Sequence, residues 1–148
     1  MGGSSPVSSL TDRIRFLFAI LAIAFTAGCS ASADVATANT AIARFRELME
    51  QQQYRQIYEE SADQNKKATT EQEWTKLLSL FHDKLGNVKN AQSTGWNVNY
   101  GTTGTVITIT YKTEFEKGSG TETFTYAISS GTALLLGYRI NSNDLLTN

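Results

Sequence analysis

The stretch at residues 107–115, ITITYKTEF, determines the predicted fold class. Its apolar and polar residues alternate with a period of two, which is the pattern of a β-strand that buries one face. The same alternation recurs in three further stretches, at residues 96–100, 124–128 and 134–140. Short Gly-containing segments separate the four stretches, so the sequence predicts a four-stranded antiparallel meander with one buried face.

The two faces of the predicted sheet differ in composition. In the last strand the alternation places four apolar residues on the buried face, namely Leu134, Leu136, Tyr138 and Ile140. The opposite faces of the strands are rich in Thr, Asn, Lys and Glu, which favours contact with solvent. The apolar face therefore needs a cover from elsewhere in the chain.

Helices that can supply this cover are predicted before the strands. Between residues 35 and 49 the apolar residues recur at steps of three and four, which indicates an amphipathic helix. A second, shorter apolar face follows at residues 54–58. The polar segment 61–69 is predicted to be a loop.

A third predicted helix has the clearest boundaries. The sequence TEQE at residues 70–73 has the form of a capping box. Apolar residues follow at helical spacing, at Trp74, Leu77, Leu78, Phe81 and Leu85. Gly86 stands where a left-handed C-terminal residue is favoured. Leu77 is accordingly predicted to face the core, where a charge would disrupt folding.

Helices followed by strands predict an α+β fold, with the N-terminal helices packed on one face of a curved four-stranded antiparallel sheet. With its last strand LGYRINS at residues 136–142, this order of elements resembles the cystatin-like or nuclear-transport-factor-like cone. The resemblance covers roughly residues 35–142 and is closest to small exported bacterial proteins of unknown function. It implies a cone-like roll, in a superfamily that contains isomerases, dehydratases and pure binding domains.

The N-terminal residues have the three parts of a secretory signal. Arg13 and Arg15 precede an uninterrupted apolar run at residues 16–25, and small residues follow it. This run is shorter than the about 20 residues that a membrane-spanning helix needs. The sequence TAGC at residues 26–29 resembles the lipobox of bacterial lipoproteins. The resemblance implies that Cys29 is acylated and becomes the mature N-terminus.

The lipobox divides the chain into a lipoprotein-type signal peptide at 1–28, a lipidated cysteine with a polar spacer at 29–34, and one α+β domain at 35–148. It implies a membrane as partner and a location in the cell envelope, on the periplasmic face of the outer membrane if the host has one. Alternatively, a signal peptidase cuts after Ala33 and releases a soluble periplasmic or secreted domain. An uncut signal anchor and an incidental thiol at Cys29 also stay open.

Composition excludes several kinds of site. The formal net charge is −1, and Lys and Arg are interspersed with acids, which argues against nucleic-acid binding. One Cys cannot form an internal disulfide, and with one His it cannot build a zinc site. The sequence contains no phosphate-binding loop, nucleophile elbow or calcium loop. We therefore expect neither a metal nor a cofactor.

The candidates for a binding site are aromatic. Side chains that can line a ligand-binding cone are Tyr54, Tyr58, Trp96, Tyr111 and Tyr126. The alternative for these residues is ordinary core packing and cross-strand pairing. His82 lies at the border of the third helix's apolar stripe. It is expected to be a boundary residue rather than a catalytic base, because the neighbouring Asp83 points about 100° away on the helix.

These observations favour a membrane-tethered envelope protein that acts as a non-catalytic binding or accessory module. The expected partner is an envelope protein or an apolar small ligand. One alternative is a small enzyme or ligand carrier, which requires a pocket above about 300 Å³ inside the cone. Another is a structural protein that meets other subunits through its last strand or through the tail at residues 141–148.

Overall fold

A computed structural model of the chain describes residues 27–102 and 104–147. The chain divides into two units after Ala33, and the sheet lies in the second unit, Asp34–Asn148. The apolar run of the predicted signal peptide, at residues 16–25, lies outside the described residues, as does the side chain of Cys29.

Helices precede the strands in the chain. The helices before the sheet are α1 (Ala27–Glu50), α2 (Tyr54–Glu59), α3 (Asp63–Ala68) and α4 (Glu71–Leu85). The strands are β1 (Val88–Gly101), β2 (Gly104–Phe115), β3 (Gly118–Ser129) and β4 (Thr132–Asn141). A short helix, α5 (Asp144–Thr147), follows them. This order confirms the predicted α+β fold.

The strands form one antiparallel sheet in the order β1-β2-β3-β4. Its buried face includes Ile107, Ile109, Phe124 and Tyr126, each at most 3% exposed. The helices supply the other half of the core through Ala38, Ile42, Phe45, Leu48, Ile57, Trp74 and Leu78. The ring of Phe45 lies 5.3 Å from that of Phe124, edge to face. The helices therefore cover one face of the sheet, as the alternation of the strands requires.

A bulge in β4 reverses part of the predicted strand face. Leu135 pairs with Tyr126, but the next pair joins Gly137 to Thr125, so β4 carries one extra residue at this point. Leu135 is consequently buried, whereas Leu134 is 42% exposed. The strict alternation that placed Leu134 on the buried face was wrong, because one inserted residue shifts the phase of every residue beyond it.

The boundaries of α4 are those that the sequence predicts. The Thr70 hydroxyl accepts a hydrogen bond from the Glu73 amide, and the Glu73 carboxylate accepts one from the Thr70 amide. The bond from the Thr70 amide, together with one that the Thr70 hydroxyl donates to the same carboxylate, lowers the pKa of Glu73. Gly86 follows the helix with a φ of 74°, and a Cβ there would lie 2.8 Å from the Cβ of Glu116. Glycine is therefore favoured at this position by both backbone conformation and space.

The orientation of α4 corrects the prediction for Leu77. Trp74, Leu78 and Leu85 are buried, whereas Leu77 is 37% exposed. Leu77 lies beside the buried stripe rather than within it, because residues 74, 78 and 85 already occupy the side of the helix that meets the core. A charge at Leu77 is therefore no longer expected to disrupt folding.

The segment predicted to be a loop contains a short helix. Within residues 61–69 the helix α3 covers Asp63–Ala68. Asn65 is buried, and its amide donates to the Ser61 hydroxyl at 3.1 Å. The Ser61 hydroxyl in turn donates to the Tyr58 carbonyl at 2.7 Å. Polar residues can thus lie inside the fold here because they bond to one another, which a polarity pattern does not reveal.

Candidate functional site

A buried carboxylate lies on the inner face of the sheet. Glu122 of β3 lies on the same face of the strand as Phe124 and is 1% exposed. Its Oε1 accepts a hydrogen bond from the Tyr138 hydroxyl at 2.7 Å. Its Oε2 accepts from the Thr113 hydroxyl at 2.6 Å and from Nη2 of Arg46 at 2.7 Å. Both carboxylate oxygens are therefore bonded within the core.

Arg46 brings a positive charge from α1 to this carboxylate. Its side chain is 20% exposed. Its guanidinium carbon lies 4.6 Å from the ring centre of Tyr111 and 5.6 Å from that of Phe124. Its Nε is buried, and no hydrogen-bond partner for it is found among the described residues. Contact with two aromatic faces is a favourable setting for a guanidinium, which is weakly hydrated.

The tyrosines around this ion pair stay protonated over the physiological range. Burial, together with the nearby Glu122, raises the pKa of Tyr138 well above its usual value. Burial likewise raises the pKa of Tyr111, whose hydroxyl donates to Oδ1 of Asn39 at 2.7 Å. Arg46, Glu122, Thr113 and Tyr138, which we call the buried network, are thus joined by hydrogen bonds between an ion pair and protonated hydroxyl groups.

The buried network leaves little free space between the helices and the sheet. A cavity beside it measures about 20 Å³ and is bordered by Glu122, Tyr138, His82 and Phe81. That volume accommodates about one water molecule. Within the part of the chain that the structure describes, the interior beside the network is therefore filled by the protein's own side chains.

His82 is held between two polar neighbours. Its Nδ1 lies 2.7 Å from the Tyr54 hydroxyl, and its Nε2 lies 3.0 Å from Oδ1 of Asn87. A neutral imidazole protonated at Nε2 satisfies both contacts, with the Tyr54 hydroxyl donating to Nδ1. His82 thus joins α4 to α2 and to the start of β1, in agreement with its expected position at the border of the apolar stripe.

A larger recess opens between α1, α2 and β4. This recess, which we call the groove, has a volume of about 310 Å³. Its apolar lining comes from Ala41, Phe45, Leu48, Ile57, Tyr126, Ala133, Leu134 and Leu135. The charged residues in its lining are Arg44 and Glu60, which form an ion pair with 3.4 Å between Nη2 of Arg44 and Oε1 of Glu60. The groove is therefore an apolar recess with one ion pair, open to solvent.

The five aromatic candidates lie in different surroundings. Tyr126 lines the groove. Tyr54 and Tyr111 are core residues whose hydroxyl groups bond to His82 and Asn39. The Tyr58 hydroxyl donates towards the carbonyls of Lys66 and Thr69. Trp96 is 57% exposed, on a β1 strand that begins well before the predicted stretch. The structure therefore does not bring the five together around one cavity.

Two charged residues of the site were missed by the sequence analysis, although each has a signal. Glu122 has the same parity along β3 as Phe124 and Tyr126, so the alternation already placed it on the buried face. Arg46 lies four residues after the buried Ile42, at the edge of the helix's apolar stripe. A charge in phase with a buried pattern indicates a partner of opposite charge.

A protein-family comparison identifies the relatives of this domain. Residues 41–138 match a family described as a protein of unknown function, DUF4019. The chain belongs to the DUF4019 family. The matched residues of this DUF4019 chain include the whole buried network and every residue named above as lining the groove. No curated protein matches the chain at a significant level.

The described residues contain neither a membrane-spanning helix nor a metal-binding group of side chains. Among residues 27–102 and 104–147, no helix is long and apolar enough to cross a membrane. Within the same residues, no group of three or more His, Cys, Asp or Glu side chains is arranged to hold a metal ion.

Proposed function

We propose that the chain is a lipid-anchored envelope protein whose folded part is a non-catalytic binding module, with the groove as its binding site. The observation that carries the proposal is the apolar, three-sided groove, set against a small cavity beside the buried network and two larger recesses of about 660 and 450 Å³, of which the first is lined mainly by polar residues and the second by α4 alone. The cavity beside the buried network measures about 20 Å³, whereas the groove measures about 310 Å³. Ligand pockets begin at about 300 Å³ and are mostly apolar with a few polar groups.

The buried network supports a structural rather than a catalytic role for its acid. A general acid or base must reach a proton of the substrate, within hydrogen-bond distance or through one water. Glu122 is 1% exposed, and its two oxygens accept hydrogen bonds from three side chains. Such a carboxylate fixes α1 against β3 and β4. The order of helices and strands also supports the resemblance to the cystatin-like cone, whose members include binding domains.

The chemistry of the groove favours an apolar segment of a protein partner. The groove lies at an edge of the sheet, since β4 is the last strand, and the exposed Leu134 lines it. Arg44 and Glu60 pair there and both side chains are exposed to solvent, so an occupant needs no net charge to satisfy them. A small apolar ligand is a second candidate, favoured by the volume of the groove.

The tether rests on the N-terminal sequence. A short apolar run ends in Thr26-Ala27-Gly28-Cys29, with a small residue directly before the cysteine. Each buried methylene of an attached acyl chain contributes about 0.8 kcal/mol, so several chains hold a small domain at a bilayer. In this proposal the module acts at the membrane surface of the cell envelope, and its partner is another envelope protein.

A large side chain placed inside the groove should weaken the binding of apolar compounds there. We expect Ala41→Phe to weaken binding of the neutral fluorophore N-phenyl-1-naphthylamine by at least about tenfold, because the new ring occupies the recess that Ala41 lines. Binding is measured as the rise in fluorescence on titration of the folded domain.

Ala43→Phe is the matched control. Ala43 lies on the same helix, is exposed and does not line the groove. We expect this variant to bind the fluorophore as the unsubstituted chain does, with circular dichroism confirming that both variants are folded. Equal binding by the Ala41 and Ala43 variants would place the apolar site elsewhere and contradict the proposal.

A further inference from the structure

One end of the sheet carries no charged residue. Residues 90–111, from β1 to β2, and residues 123–138, from β3 to β4, contain no Asp, Glu, Lys, Arg or His. Within these segments β2 pairs with β3 from Thr105–Ile128 to Thr110–Thr123, so the two segments lie side by side. The turn between β1 and β2 and the turn between β3 and β4 both lie at this end. We call it the uncharged end.

Large apolar side chains are exposed at the uncharged end. Trp96 and Tyr100 of β1 are 57% and 56% exposed, and Leu134 of β4 is 42% exposed. Trp96 and Tyr100 lie four residues apart on one strand, so they share a face. Trp and Tyr are the residues enriched where proteins meet the headgroup region of a bilayer, because their rings are apolar and their edges are polar.

Helix α1 contacts two neighbouring strands of the sheet through its side chains. Asn39 of α1 bonds to Tyr111 of β2, whereas the later residue Arg46 bonds to Glu122 of β3. From Asn39 to Arg46 the helix therefore runs across the sheet from β2 to β3. Cys29 precedes Asp34 by five residues, which span at most about 18 Å. An anchor at Cys29 would therefore hold Asp34, the first residue of the unit that contains the sheet, within that distance of the bilayer surface.

We propose that the uncharged end docks on the phospholipid surface, with Trp96 and Tyr100 at the level of the headgroups. This inference rests on the proposed anchoring through Cys29. The strand residues of the uncharged end bring no charge of their own out of water on docking, and the exposed aromatic rings gain burial in the interface. Docking would also give the tethered domain a defined orientation at the membrane.

The test uses the acylated mature protein in phosphatidylcholine vesicles whose acyl chains carry bromine near the headgroup. Bromine quenches a tryptophan that lies within the interface. The chain has two tryptophans, Trp96 and the buried Trp74, which is 5% exposed. The emission of Trp96 is the difference between the unsubstituted protein and the Trp96→Phe variant, in which Trp74 remains. We expect brominated lipid to quench most of this difference and to leave the emission of the Trp96→Phe variant nearly unchanged.

The outcomes separate docking from anchoring. Acylated protein that floats with the vesicles, while Trp96 is quenched no more than Trp74, would overturn docking and leave the anchor intact. If the mature protein carried no acyl group on Cys29 and stayed in the aqueous fraction, both docking and anchoring would be overturned. A blue shift of Trp96 emission that grows with protein concentration without vesicles would overturn docking in favour of contact with a second copy. Leu80→Gln, at an apolar residue of α4 that is 49% exposed, is expected to leave quenching unchanged.

Discussion

Arg46→Met is expected to lower the free energy of unfolding by about 3–5 kcal/mol, because it leaves the buried Glu122 carboxylate without its cation. Methionine preserves much of the apolar contact with Tyr111 and Phe124, so the loss reports mainly on charge. Thr113 and Tyr138 still donate to the carboxylate, but neither carries a positive charge. Urea denaturation followed by circular dichroism measures the change.

Arg44→Met on the same helix is the control for this result. Arg44 pairs with Glu47 and Glu60, but all three side chains are at least 41% exposed, so the expected change is much smaller than that of Arg46→Met. The double variant Arg46→Met/Glu122→Leu should recover much of the loss, since it removes both buried charges. If Arg46→Met were no more destabilising than Arg44→Met, Glu122 would not depend on Arg46 for its burial.

Leu78→Asp is expected to prevent stable folding. Leu78 is 0% exposed and belongs to the core cluster, together with Trp74 and Ile107. Truncation of a buried leucine to alanine alone costs about 2–5 kcal/mol, and burial of an unpaired carboxylate adds to that. Since small domains are stable by about 5–15 kcal/mol, the variant should show a lost or strongly lowered thermal transition.

The neighbouring substitution Leu77→Asp gives the comparison for this effect. Leu77 is 37% exposed, so the new carboxylate can remain in water, and the melting temperature should change little. The pair of variants therefore tests which side of α4 faces the sheet. A large loss at Leu77 with a small loss at Leu78 would mean that the helix is rotated about its axis relative to the structure.

The elements that the sequence predicted are those determined by local chemistry. The capping box at Thr70 and Glu73 needs only residues within one helical turn, and it is present. The alternation of residues 107–115 likewise depends on which face of a single strand each side chain occupies. In β2 every second residue of this stretch is buried, as predicted. Such patterns are visible in one sequence because the residues that cause them are neighbours in the chain.

The errors come from features that involve distant residues. The bulge in β4 is defined by pairing with Thr125 and Tyr126 of another strand, so counting along β4 placed Leu134 instead of Leu135 in the core. Arg46 and Glu122 are separated by 76 residues in the chain. The alternation of β3 places Glu122 on a buried face, and helical spacing places Arg46 at the edge of the apolar stripe of α1. Only the folded structure shows that the two side chains meet.

The groove was also beyond the sequence analysis. Its walls come from three elements, with Ala41 on α1, Ile57 on α2 and Leu135 on β4. The aromatic residues chosen as candidates did not predict it, because only Tyr126 among them lies in its lining. A recess is defined by the space that side chains leave between elements, and its size depends on how those elements pack.

The measurement that tests the central claim most directly is the mass of the mature N-terminal peptide of the protein extracted from membranes, with Cys29→Ala analysed in parallel. The lipid-anchored module predicts an acylated Cys29 at the N-terminus, and loss of both the acyl mass and membrane retention in the variant. An unmodified N-terminus at Asp34 in the soluble fraction would contradict the account, because the domain would then be released without its anchor.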